Sequence, residues 1–405
     1  MEGTLQETPH ILDTDRAESA RMGRDMAASR KTKTSKAAAP EPQDSVLIAH
    51  LRRLVEATGP SGSEEDVVRL IVEAARPLAD ELSVDAFGNV VATRHAAQPG
   101  ARRCVISAHM DEIGFRVRQI DPNGFLRLEK VGGMDDRILL AQRLWVRTEN
   151  QRLLGVIGTR SAHLLTDADR SALVPTTQLY VDIGARSAQQ AAEMGVQMGD
   201  PAGFVGSLEE LGRGSGRYTA HALDDRAGCA ALLTVLEGYR DAPPPVTLVA
   251  VFSVQEEVGL RGVQALARHL QADVALALDM TAADDTPELG TAHLCLGAGP
   301  TVKIMDNSTL AHPAVRRGLM EVARQQNLSV QPELLRGIGT DAGALQYLGG
   351  GVAAGAVSVV NRYTHSPVEV LDERDLEEAV DLLRGFLSAL PGLDLGFLPP
   401  DTAGE

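Results

Sequence analysis

The residues of this chain best suited to chemistry stand in five separated places. His109-Met110-Asp111-Glu112 follows an apolar run over 104–108. His221-Ala222-Leu223-Asp224-Asp225 stands ahead of an apolar helical pattern. Gln255-Glu256-Glu257 follows an apolar run over 246–254, Asp279 follows one over 274–278, and His365 comes after a run over 352–360. In an open α/β sheet, ligands collect outside the carboxyl ends of the strands. These stretches therefore bring histidine or carboxylate to one edge of one sheet. Asp111, Asp224, Glu256, Glu257 and Asp279 cannot gather there as free carboxylates without strong mutual repulsion. Two divalent cations remove the conflict. Three carboxylate ligands set against two dications leave about one positive charge, enough to hold a hydroxide or polarise a carbonyl. Imidazole and carboxylate donors without thiolate suit Zn²⁺, Co²⁺ or Mn²⁺ and point to a catalytic rather than a structural centre. Singly, each piece has a plainer reading. A strand-end histidine can be a structural hydrogen-bonding group, an Asp-Asp pair a helix N-cap, and a Glu-Glu pair solvated surface. The combination carries the argument.

The elements that must position these residues alternate between helix and strand. Leu47, Leu51 and Leu54 mark one face of a helix that begins near Val46 and ends at Gly59-Pro60. Ser61-Gly62-Ser63-Glu64 has the serine-to-glutamate spacing of a capping box and opens a second helix. Asp85-Ala86-Phe87-Gly88-Asn89 reads as a hairpin turn. Strands are expected over 104–108, 246–254, 274–280 and 352–360, and helices over 224–239, 261–270, 312–326 and 372–390. From Phe115 to Phe204 the pattern changes to short alternating runs such as Arg116-Val117-Arg118. Turn signals such as Asp121-Pro122-Asn123-Gly124 separate them, the mark of a small β barrel or sandwich. The expected organisation is a disordered tail over 1–45, a discontinuous α/β catalytic domain over 46–114 and 210–392, an inserted β domain over 115–209, and a C-terminal tail over 393–405.

Composition narrows the function classes. The chain of 405 residues holds 39 Lys+Arg against 55 Asp+Glu, a formal charge of −16, which argues against a nucleic-acid partner. Aromatics are 3% of the residues, with one Trp, so platforms for stacking sugars or bases are scarce. No apolar stretch approaches the roughly 18 residues of a membrane span. Residues 1–45 lack the apolar centre of a secretory signal. Cys104, Cys229 and Cys295 are widely spaced and read as reduced thiols, which suits the cytoplasm.

Five segments resemble metallopeptidase family 42. They are Ser107-Ala108-His109-Met110-Asp111-Glu112-Ile113-Gly114-Phe115, Ala222-Leu223-Asp224-Asp225-Arg226, Gln255-Glu256-Glu257-Val258-Gly259-Leu260-Arg261-Gly262, Gly339-Thr340-Asp341-Ala342-Gly343 and His365-Ser366-Pro367-Val368-Glu369. This family comprises glutamyl and leucyl aminopeptidases that build tetrahedral particles, and some members carry an endoglucanase or cellulase label. The resemblance runs over 46–392. It implies an α/β fold, a mixed-sheet di-zinc peptidase sandwich with an inserted small β-barrel domain. It also implies that His109 binds one metal, that Asp111 orients the His109 ring, and that Asp224 bridges both metals ahead of a cis bond to Asp225. Glu257 and Asp279 would each complete one metal's shell, His365 would supply the second imidazole, and Glu256 would be the general base.

The function this implies is a cytoplasmic di-metal aminopeptidase acting on short peptides. Metal-activated water attacks, and Glu256 takes a proton and returns it to the leaving amine. By analogy the inserted domain carries the contacts of a homo-oligomer, dimers built into a dodecamer. A di-metal deacylase or amidohydrolase on N-acyl amino acids is the main alternative, and it needs no free amine. A glycoside hydrolase leaves His109 and His365 without a role, and a non-catalytic scaffold does not explain a complete ligand set. His221 stands where relatives often have lysine and reads as an ordinary surface residue. Val360-Asn361-Arg362-Tyr363 also departs from the Pro-x-Arg-Tyr that relatives often carry before this histidine. Gly337-Ile338-Gly339-Thr340-Asp341 is expected to line the pocket. Arg362 or Arg336 would either select an acidic side chain or pair with a structural carboxylate.

Overall fold

The computed structural model describes residues 44–289 and 293–397. The expected tail therefore lies outside the described residues up to 43, as do residues 398–405 of the C-terminal one. Ser45 caps the helix Val46–Val55, its Oγ accepting from the Ile48 N–H at 3.2 Å. Leu393 and Leu395 pack against the core.

Continuous apolar runs become strands buried on both faces. Thr247–Ser253, Arg103–His109, Val274–Ala282 and Ala353–Arg362 lie side by side in that order, all parallel. Successive side chains point to opposite faces. Cys104, Ile106, Ala108, Leu248, Ala250 and Phe252 join one cluster with residues of the helices Val46–Val55, Leu223–Glu237, Pro313–Gln326 and Glu373–Ala389. Val105, Val249, Val251 and Ala275 face the other way, against Ala344, Leu345 and Leu348. Burying each large aliphatic side chain contributes about 1.5–3 kcal/mol. Antiparallel strands widen the sheet to eleven, so the sheet is mixed. No described helix is long and apolar enough to cross a membrane.

The alternating segment closes into a barrel. Gly114–Ile120, Leu126–Val131, Arg143–Arg147, Arg152–Ile157, Val181–Asp182 and Pro201–Phe204 are its six antiparallel strands. Alternate residues fill it, including Phe115, Val117, Leu126, Leu128, Leu144 and Val146. Phe115 and Phe204 meet edge to face at 5.6 Å. The first barrel strand begins two residues after Glu112. A side chain at Gly114 would bring its Cβ to 2.8 Å from both the Ala202 carbonyl and the Pro60 ring, so only glycine fits this junction.

The structure departs from the sequence pattern in places. The second helix is Glu65–Ala75, with Glu64 at its N-cap and no side-chain cap, so Ser61 and Glu64 form no capping box. Ser61 Oγ instead donates to Asp111 Oδ2 at 2.7 Å, and Glu64 Oε1 accepts from the Gly62 and Gln255 N–H groups. A buried carboxylate has drawn the serine away from the helix end. The helix expected over 261–270 stops at Leu266, while two central strands run on to Ala282 and Arg362. Asp224 and Asp225 lie within the bounds of Leu223–Glu237 but have non-helical backbone angles.

Candidate active site

Strand register explains the convergence. His109 pairs with Ser253 at the end of its strand, and Asp279 lies two residues past the Ala277–Ser107 pair on the next. His109 Nε2 is 3.1 Å from Asp224 Oδ1 and 3.7 Å from Asp279 Oδ1. His365 Nε2 is 3.2 Å from Glu257 Oε1 and 3.6 Å from Asp224 Oδ2. Two triads result, His109–Asp224–Asp279 and His365–Asp224–Glu257, each with its ligand atoms within 4.8 Å of one another. They share Asp224, which turns one oxygen to each histidine. Glu256 lines the same cavity outside both triads.

Other groups hold these residues in place. Asp111 is fully buried and accepts from Ser61 Oγ and from the Glu256 and Glu257 N–H groups at 3.0 and 3.2 Å. His109 Nδ1 sits 3.1 Å from the Asp111 carbonyl and 3.5 Å from its Oδ1. Nδ1 faces acceptors and donates, which orients the ring and aims Nε2 at the carboxylates of the cluster. His365 Nδ1 does the same against the Gly133 carbonyl of the barrel domain, at 2.6 Å. Glu369 ties two segments together, accepting from the Asp224 N–H at 3.0 Å and the His365 N–H at 2.7 Å. The Asp224–Asp225 bond is cis. Asp225 accepts from the His109 and Gly228 N–H groups, and a Cβ at residue 228 would fall 2.2 Å from Asp225 Oδ1.

The sequence reads Ser61 and Glu64 as a capping box and Asp341 as part of the pocket wall, and gives Asp225 and Glu369 no part in holding the site. A usable signal existed at Asp341, a lone acid between small residues in Gly339-Thr340-Asp341-Ala342-Gly343. It is buried, accepts from Ser253 Oγ at 2.5 Å and leaves Oδ1 without a partner. His221 is not on the surface. It is 3% exposed, with Nδ1 2.9 Å from Glu112 Oε2 and Gly206 packed over the ring. Gly337, Ile338 and Gly339 line the cavity, whereas Thr340 and Asp341 do not. Arg362 is held by Asp285 through two bonds of 2.6 Å.

The cluster is short of positive charge. Burial drives Glu256 well above the ordinary carboxylate range, and Asp279, Asp341 and Glu257 push the same way. Burial likewise raises Asp279 and Glu257, with repulsion from Asp224 added. Burial opposes ionisation of Asp224 too, but His109 and His365 hold it below its usual value. Burial would lower His109, yet the Asp111, Asp224 and Asp279 carboxylates keep it well above normal. His365 is pushed up to about 10, with Glu257 and Asp224 outweighing burial. Oriented imidazole nitrogens and crowded carboxylate oxygens are a donor set that fits a pair of Zn²⁺, Co²⁺ or Mn²⁺ ions. They open onto a cavity of about 530 Å³.

The sequence profile of the M42 glutamyl aminopeptidase family matches residues 88–382. A putative aminopeptidase of Acetivibrio thermocellus is 36% identical over 333 residues, spanning 82% of this chain and 96% of its own. An aminopeptidase structure from the archaeon Desulfurococcus kamchatkensis has a TM-score of 0.79 at 38% identity, over 84% of this chain and 94% of that one. The TET1 peptidase of Pyrococcus horikoshii, which can assemble into a tetrahedron or a large octahedral shell, has a TM-score of 0.77 at 35% identity, over 84% and 99%. On the family profile, the identities and the near-complete coverage of its relatives, this chain belongs to the M42 glutamyl aminopeptidase family and is a peptidase, a hydrolase acting on peptides.

Proposed function

We propose that this enzyme is a di-metal aminopeptidase that removes N-terminal residues from short peptides. The observation that carries the reading is the pair of triads sharing Asp224, with Glu256 beside them in one cavity. His109, Asp224 and Asp279 would hold one divalent ion, and His365, Asp224 and Glu257 the other. Bound there, such ions polarise a scissile carbonyl and acidify a water. The chain's own residues do the rest. Glu256 holds a proton readily, because burial and its acidic neighbours favour the neutral carboxyl. It is therefore suited to take a proton from water and pass it to the leaving amine. Asp111 fixes the His109 ring and, through two N–H groups, the backbone of Glu256 and Glu257. Family analogy puts the substrate's free α-amine beside the metals, which makes the enzyme an exopeptidase.

A homo-oligomer is part of the proposal, built on dimers and extending to a dodecamer. Leu154, Val156 and Leu164 are exposed in the barrel domain and support it. A cytoplasmic location fits the free cysteines.

The test is hydrolysis of aminoacyl-p-nitroanilides and their N-acetylated counterparts, after chelation and after return of Zn²⁺, Co²⁺ or Mn²⁺. Metal-dependent cleavage of the free-amine substrates alone is expected. Cleavage of only the blocked substrates would replace the aminopeptidase with a deacylase.

A further inference from the structure

The chain crosses between the sheet and the barrel twice, and both crossings meet one buried ring, that of His221. Glu112 lies two residues ahead of the barrel strand Gly114–Ile120, and Gly206 two residues past the barrel strand Pro201–Phe204. His221 Nδ1 is 2.9 Å from Glu112 Oε2, and a Cβ at residue 206 would lie 2.9 Å from the ring Cδ2. Glu112 is itself buried; its Oε1 accepts from the Gly59 N–H at 2.6 Å and lies 3.6 Å from Arg226 Nη2. Arg226 Nη1 donates to the Leu54 and Ala57 carbonyls, while its Nε and Nη2 have no hydrogen-bond partner. Burial opposes ionisation of Glu112, yet His221, Arg226 and the Gly59 N–H hold it below its ordinary value. Two basic side chains thus face one buried carboxylate. The cluster runs straight into the acidic site. Glu112 follows Asp111, which holds the Glu256 and Glu257 N–H groups. Ala222, next to His221, has a left-handed φ of 55°, uncommon for a residue with a side chain, and Asp224 comes two residues later. Ala220, just before His221, pairs with Glu369, whose carboxylate accepts from the Asp224 N–H.

We infer that His221 and Glu112 are a positioning pair for the metal centre: they join the Asp111 turn to the Asp224 turn at the sheet–barrel junction and so set the spacing of the two triads. The inference rests on the di-metal reading of the site. The His109 N–H bond to Asp225 fixes these two turns from the sheet side, and His221 with Glu112 fixes them from the barrel side. Removing one partner of a buried pair leaves the other uncompensated. An apolar residue at 221 would leave Glu112 facing Arg226 alone, and the turn that carries Asp111 would move to relieve the carboxylate. Groups behind metal ligands act on affinity in this way, through the placement of the ligands themselves. A lysine at 221 would keep a cationic donor facing Glu112.

The experiment measures the Zn²⁺ affinity of the full chain by competition with a chelating dye, a readout free of turnover. In His221→Leu the affinity should fall by about 10–100-fold, and in His221→Lys it should stay near the wild-type value. A pair that served folding alone would lower the melting temperature of His221→Leu and leave its zinc affinity unchanged, and that result overturns the inference. Lys303→Met is the comparison, because it also breaks a buried pair, with Glu333. It should lose stability while its zinc affinity holds. An equal loss of affinity in Lys303→Met would reduce the effect to general destabilisation and overturn the inference too. If His221→Leu does not fold, Gly206→Ala decides, since its methyl would press on the ring with both members of the pair kept. Weaker zinc binding is expected there, and unchanged binding overturns the inference. A wild-type chain that binds no zinc overturns the di-metal reading and the inference together. Two ions held equally tightly by wild type and His221→Leu overturn the inference alone.

Discussion

Lys303, Asp306 and Glu333 form one buried charged cluster in the sheet, and the residues around Asp224 form another. In the first, the Lys303 ammonium sits 2.5 Å from Glu333 and 3.7 Å from Asp306, and hydroxyls from Thr281, Thr301 and Ser308 complete the set. In the second, His109 and His365 are the basic groups facing Asp224, Glu257 and Asp279, and burial and repulsion raise Glu257 and Asp279. A lysine is a resident cation. An imidazole oriented through Nδ1 can give up its Nε2 proton and offer that nitrogen to an ion. The first cluster is closed and serves the structure. The second is left open at the cavity, with its charge incomplete, and is suited to take ions and do chemistry.

Three variants press on this contrast. The largest effect is expected from Glu256→Gln. Its kcat should fall by about 10²–10⁴-fold while metal content measured by atomic absorption stays near two ions per subunit. Loss of metal would make Glu256 a ligand and not the base. Next is Lys303→Met, which strands two carboxylates and should cost about 3–5 kcal/mol in denaturant unfolding. A loss under 1 kcal/mol would erase the distinction between the clusters. The smallest effect concerns Asp341, which burial pushes up to about 7 against the lowering by the Ser253 hydrogen bond and His109, with repulsion from Asp279 and Asp111 adding to the rise. The folded chain then keeps a proton that the unfolded chain releases near 3.8. The unfolded state binds fewer protons in this window, so the contribution of Asp341 to stability falls as pH rises from about 4 to about 7. In chelated protein, the melting temperature of Asp341→Asn relative to wild type should therefore climb across that window. With divalent ions restored the climb should flatten. An equal slope in both states would mean that the ions do not relieve the cluster.

The contributors to the acidic cluster were legible because each follows or precedes an apolar run and breaks it with a histidine or an acid. The two-faced strands and the alternating barrel strands were legible for the same reason, since hydrophobic period reports burial directly. Apart from Asp111, what holds the site was not. Ser61 and Glu64 have the spacing of a capping box whether they serve a helix end or reach Asp111 and Gln255, and only the distant partner decides. His221 has no local signature, and its burial comes from Glu112 and Gly206. The overlong expectation over 261–270 has another cause. Ala267 and Leu270 still pack on the core after the helix stops at Leu266, so the apolar spacing outlasts it.

The 2.6 Å contact between His365 and the Gly133 carbonyl has a consequence for how such chains can be recombined. Gly133 lies just past the barrel strand Leu126–Val131, while His365 belongs to the sheet side of the molecule. In a hybrid carrying another relative's barrel, the His365 ring would lose its Nδ1 partner unless the transplanted loop returned a carbonyl to that spot. The two parts are thus a matched pair, and grafting between them needs that one backbone oxygen as its first point of alignment.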